Sequence, residues 1–180
     1  MSCALTKGRT LGCRDSIGGI KQIAIMAHGD KGAVTIGSDG QVTSIGTSLT
    51  MFSYELPKHT GSLTDNIISS VENGTVFYEQ VLAATLHKLT ADDRAEIALI
   101  AKNRLLIAVL DNNDNCFMMG LDNGAEITAG TIVTGVAKGD MNGYTLEAKA
   151  EEAEPTRMFA FTTDFATSLN AIGVTTLTTS

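Results

Sequence analysis

Three cysteines, Cys3, Cys13 and Cys116, are the residues of this chain best suited to covalent chemistry. Cys3 and Cys13 are separated by nine residues, which is not a zinc-ligand spacing, and no C-x-x-C redox pair occurs. A local bridge between them would need closely apposed Cα atoms. In a reducing compartment all three read as free, partly buried thiols. The histidines, His28, His59 and His87, form no H-x-x-x-H pair and have no cysteine partners at metal spacing. His28, near Asp30, reads as half of a solvated pair in a turn. Asp111, Asn113, Asn115 and Asp122 match positions 1, 3, 5 and 12 of a calcium loop. Position 6 of that pattern is Cys116 where the sharp turn needs glycine, and the exit run is strand-like. A hairpin turn rich in Asp and Asn is therefore expected. No nucleophile elbow and no P-loop is present, and the paired glycines lack dinucleotide-binding spacing. Asn73-Gly74-Thr75 matches a glycosylation sequon and reads as a turn. These residues predict no catalytic, metal-binding or cofactor-binding site, and no enzyme. Glu147, Glu151, Glu152 and Glu154 form an acidic cluster that reads as a solvated face. Its functional reading is an electrostatic surface to which DNA does not adhere.

The elements that carry these residues read as mainly β. The chain has 180 residues, a net charge of −7, 18 glycines, two prolines and no tryptophan. That length buries a core without help from disulfides. Many glycines and β-branched residues favour strands and tight turns. Apolar runs reach neither the ~18 residues of a membrane span nor the pattern of a secretory signal, so neither is expected. Scattered Lys and Arg give no basic stripe for nucleic acid. Gly19–Ala27 reads as a strand buried on both faces. Short strands follow around Val34 and Val42, with Asp39-Gly40 between them, and the alternation of Phe52, Tyr54 and Leu56 ends at Pro57. Thr75–Leu89 fits helix and strand templates comparably; its opening Thr-Val-Phe-Tyr favours one long strand. The stretch Thr90–Lys102 predicts a helix capped by Thr90. A hairpin spans Leu105–Met119, and "AEITAGTIVTG" and "GYTLEAKAEE" give two further strands. In the second, Tyr144, Leu146 and Ala148 face one way and Thr145, Glu147 and Lys149 the other. The sum is a β-sandwich or β-barrel with one flanking α-helix and extended terminal arms. Residues 1–155 form the domain with an N-terminal arm, and residues 156–180 a C-terminal arm or tail.

Three stretches carry a resemblance. "CALTKGRTLGCRDSIGGIK", "ENGTVFYEQVLAATLHKL" and "GLDNGAEITAGTIVTGVAKGDMNGYTLEAKAEEAEP" occur in order between Cys3 and Pro155. They resemble a group of tailed-bacteriophage virion structural proteins. The layout is most similar to tail tube proteins. The resemblance implies a homo-oligomer of hexameric rings stacked into a tube, contacts with other virion tail proteins, and passage of DNA without specific binding. It implies assembly in the host cytoplasm and residence in the virion, away from membranes. Glu147, Glu151, Glu152 and Glu154 are then candidates to face an acidic lumen. Cys3, Cys13 and Cys116 could cross-link within or between subunits once the particle meets oxidising conditions. The expected interfaces are the N-terminal segment, the Gln41–Tyr54 region and the tail after Pro155. A capsid decoration or head–tail connector protein is the alternative, and a small soluble enzyme the third reading.

Overall fold

The computed structural model describes residues 8–88 and 90–179. The described chain is a β-sandwich of unequal sheets. The larger sheet, sheet A, has eight strands: β1 (Ile20–Ala27), β2 (Thr35–Ile36), β3 (Val42–Ser44), β4 (Leu49–Glu55), β7 (Leu105–Asp111), β8 (Cys116–Met119), β11 (Arg157–Phe159) and β12 (Val174–Thr178). Their spatial order is β12-β4-β1-β7-β8-β11-β3-β2. The smaller, sheet B, has four antiparallel strands: β5 (Gly61–Ser70), β6 (Thr75–His87), β9 (Glu126–Val133) and β10 (Gly143–Glu152). Their order is β5-β6-β10-β9. Helix α1 (Ala91–Ile100) flanks the sheets, and a second helix, α2 (Phe165–Ala171), lies between β11 and β12.

Sheet A is buried on both faces, which explains its near-continuous apolar strands. Along β7, Leu105, Ile107 and Val109 face sheet B, while Leu106, Ala108 and Leu110 face away from it. β1 divides in the same way, with Ile23 and Ile25 toward sheet B and Ala24 and Met26 away. Sheet B supplies Leu82, Ala84, Ala148 and Ala150 to the core between the sheets. The opposite core sits inside the curl of sheet A, where Phe165, Leu169 and Ile172 of the α2 region fill it. The curl nearly closes: the Ile45 amide donates to the Ile172 carbonyl (2.9 Å), and the Leu49 amide to that of Gly173 (3.1 Å). Gly173 has φ of +110°, and a Cβ there would collide with the Gly46 carbonyl.

The long-strand reading of Thr75–Leu89 holds for β6, because Gln80, Leu82 and Ala84 alternate into the interior. The expected cap also holds: Thr90 accepts from the Asp93 amide at 3.1 Å. Three expectations are corrected. Residues 156–179 are no arm or tail: β11 and β12 are strands of sheet A, and Phe159, Phe165, Leu169 and Val174 are core. The Gln41–Tyr54 region is not all surface: Val42, Ile45, Leu49, Met51 and Ser53 are buried, while Thr43, Thr47, Ser48, Thr50 and Phe52 stay exposed. Along β4 the buried set is Leu49, Met51 and Ser53, and Phe52 is exposed, because β4 sits beside the short β12 near the sheet margin. The residues from Gly8 to Gly19 are exposed and lie outside the strands and helices.

Candidate functional site

Sheet B has two open edges. β5 pairs only with β6, and β9 only with β10, so each presents a row of backbone donors and acceptors on its outer side. No residue of either edge strand is buried. Sheet B also overreaches the sheet beneath it. Ile67 and Val76 on the face toward sheet A are 69% and 57% exposed at one end, and Ile132 is 51% exposed at the other. Apolar side chains in such overhangs lack cover from this chain.

The opposite, outward face of sheet B is mostly polar, with Ile68, Phe77, Val81 and Val133 as its larger apolar side chains. Strand registers set Glu79 of β6 directly across from Glu151 of β10, and Lys149 of β10 across from Glu126 of β9. Glu147 lies on the same face, two positions from Lys149. Lys149 Nζ lies 3.4 Å from Glu79 and 4.0 Å from Glu147, and Asn66 of β5 donates to Glu79 at 3.3 Å. Four carboxylates thus share the face with one ammonium, and Thr131 and Thr145 meet at 2.5 Å nearby. Directly opposed like charges weaken a sheet, and the diagonal lysine offsets this.

The four expected acidic residues do not form one surface. Glu147 and Glu151 lie on the outward face. Glu154 is exposed beyond the strand end, and Glu152 turns inward and is 4% exposed. Glu152 Oε1 accepts from the amides of Asp122 (3.1 Å) and Asn123 (2.9 Å), so this carboxylate braces the loop after β8. Buried Gln80 assists, accepting from the Gly120 amide at 3.0 Å. These bonds join sheet B to sheet A. Glu79 and Glu126, absent from the sequence-based set, complete the acidic face. Strand alternation carries that signal once the pairing partners are known, but neither sits in an acidic run.

The calcium-loop residues separate. Asp111 accepts from the amides of Asn113 (2.8 Å) and Asn115 (2.7 Å) and from both their side-chain amides. Burial pushes this carboxyl up, but the hydrogen bonds from Asn115 and Asn113 outweigh it and hold it below its usual range. Asp122 lies past the far end of the β7–β8 hairpin, on the loop braced by Glu152. Among the described residues, no three His, Cys, Asp or Glu side chains are placed to share a metal ion. No described helix is long and apolar enough to cross a membrane.

Cys3 lies outside the described residues. Cys13 is exposed on the arm, whereas Cys116 is fully buried in the curl of sheet A. Burial, with Asp111 and Asp114 nearby, pushes the Cys116 thiol up to about 12. A protonated, enclosed thiol neither attacks nor reaches another subunit, so Cys116 leaves the set of cross-link candidates. His28 is not paired with Asp30, contrary to expectation. Its Nε2 is buried without a hydrogen-bond partner, and burial, followed by Lys31 and Arg104, lowers its pKa. No family model matches the chain, and no curated protein matches it.

Proposed function

We propose that the chain is a virion structural protein that self-assembles through sheet B, and specifically a tail tube subunit. The observation that supports this best is a four-stranded antiparallel sheet, open at both edges, overreaching its partner and mostly polar on its free face. Strand direction is compatible with closure. The four strands alternate, so β5 and β9 run in opposite directions. When copies repeat head to tail around an axis, β5 of one meets β9 of the next antiparallel. The ladder then continues around the ring with no open edge.

Six copies, the number that the family resemblance implies, would give about 24 strands. At about 4.8 Å between strands, the backbone ring is about 40 Å across. Sheet A covers one face of sheet B, so the outward face lines the bore. Glu79, Glu126, Glu147 and Glu151 would then keep DNA from adhering during passage. The mechanism is mechanical and needs no reacting group.

Electron microscopy of the purified protein in negative stain tests the reading. Rings or stacked tubes are expected. A monodisperse monomer at high concentration overturns it, and binding of that monomer to empty heads would favour a decoration role.

A further inference from the structure

A second surface is suited to a different contact. A cavity of about 700 Å³ lies between the start of α1, the end of β4 and the end of β6. Glu55, Asp92, Asp93 and Glu96 line it, with Leu86 and Ile97 as apolar lining and Lys88 as its one lysine. Tyr144 also lines it. This side chain is 1% exposed, and its hydroxyl is buried with no hydrogen-bond partner. An orphaned hydroxyl beside a cavity calls for a polar group from outside, since burying it unpaired is unfavourable. The field of the carboxylates reaches the cavity wall: burial first, then Glu96 and Asp93, push the Tyr54 phenol up.

The N-terminal arm has the complementary chemistry. Arg9, Leu11 and Arg14 are all exposed, Leu11 completely. No hydrogen bond or ion pair joins residues 8–16 to the rest of the described chain. The arm is anchored just beyond, where Ile17 exchanges hydrogen bonds with the Asn113 side chain (2.8 and 2.7 Å) and Asn112 donates to the Gly18 carbonyl (2.7 Å). From Ile17, extended chain can carry Arg9, eight residues away, about 26 Å, and Leu11, six residues away, about 20 Å.

We propose that Arg9, Leu11 and Arg14 of one copy seat in this acidic cavity of a second copy. The guanidinium groups meet the rim carboxylates, one donates to the Tyr144 oxygen, and Leu11 covers Leu86 and Ile97. The contact rests on the self-association reading but uses neither edge of sheet B.

A photo-crosslinking residue in place of Thr10, in an otherwise full-length chain, tests it. Isotopically labelled and unlabelled copies are mixed, and the products are mapped by mass spectrometry. Cross-links from the arm to the 91–97 segment that join a labelled to an unlabelled copy are expected, with or without rings in the microscope. Glu96→Arg should lower their yield about tenfold, the scale of a lost charge-assisted hydrogen bond. Combining it with Arg9→Glu should restore them. Cross-links confined to one copy, directed to another surface, or insensitive to Glu96→Arg overturn the proposal. Rings that form without arm cross-links overturn it while leaving the sheet B reading intact.

Discussion

Glu152 shows how one side chain can be misread when its neighbours in sequence share its charge. It follows Glu151 and precedes Glu154, so a solvated acidic run is the natural reading. Period-2 alternation along β10 decides otherwise, because Ala148, Ala150 and Glu152 share the inward face. Its carboxylate then meets the amides of Asp122 and Asn123 on the loop after β8. Glu152→Ala should destabilise the fold by about 1–3 kcal/mol, since two loop N–H donors lose a charged acceptor. Glu152→Gln, which keeps a carbonyl acceptor, should lose less; equal losses in urea titrations would refute the brace. Two other side chains set a dependence on pH. Both Asp111 and His28 have folded-state pKa values below their ordinary values. The unfolded chain therefore binds protons more readily, and acid favours unfolding. The His28 contribution is complete above its ordinary value of 6.5 and fades as pH falls below it. The Asp111 contribution is complete above 3.8 and fades below that. Melting temperature should therefore fall in two stages on acidification. In His28→Gln the upper stage should vanish, and its persistence would assign that stage to another group.

At the scale of elements, the sequence was most readable where burial and period coincide. β1, β7 and β10 carry clean apolar runs or alternation, and α1 carries a cap and an acidic first turn. β5 was not readable because no residue of it is fully buried and only Gly61, Leu63 and Ser70 are half-buried, so its apolar residues follow no clear period. The C-terminal stretch failed for another reason. α2 has only seven residues, too few for a helical period, and its signals are its ends: Asp164 accepts from the Thr167 amide at 2.6 Å, and Gly173 follows the C-cap. β12 joins sheet A by a parallel pairing with β4, a partner more than 100 residues away in sequence. Local periodicity holds no trace of that partner. The structure changes what a truncation should do. Removing residues 156–180 deletes Phe159, Phe165, Leu169, Ile172 and Val174 from the core inside sheet A. Losing several large core side chains at once exceeds the stability of an ordinary domain. The truncated chain should lose its cooperative thermal transition. A normally folded, assembly-defective product would restore the arm reading of this segment.

At the scale of the whole molecule, the two sheets divide the work. Sheet A, buried on both faces and curled until it nearly closes, contributes to both hydrophobic cores. Sheet B carries exposure that a solitary domain ordinarily suppresses: open edges, apolar overhangs and a like-charged pair across β6 and β10. Its edges contain no proline, and β5 has no lysine to deter pairing. The proposed assembly would account for these features together, because a neighbour's strand would satisfy the edge and its side chains would cover the overhang. The argument can be tested at one strand. Along β5, successive amides point alternately toward β6 and toward the open edge. Proline at a position whose N–H faces β6 removes a ladder bond and should lower the melting temperature. Proline at the adjacent position removes only an edge donor and should leave the monomer's melting unchanged. Of Asn66→Pro and Ile67→Pro, one should therefore destabilise the chain. The other should fold normally yet form no rings, because its edge can no longer complete the ladder with β9 of the next copy. If the normally folding variant still forms rings at the wild-type concentration, β5 is not the joining edge, and the barrel must close elsewhere.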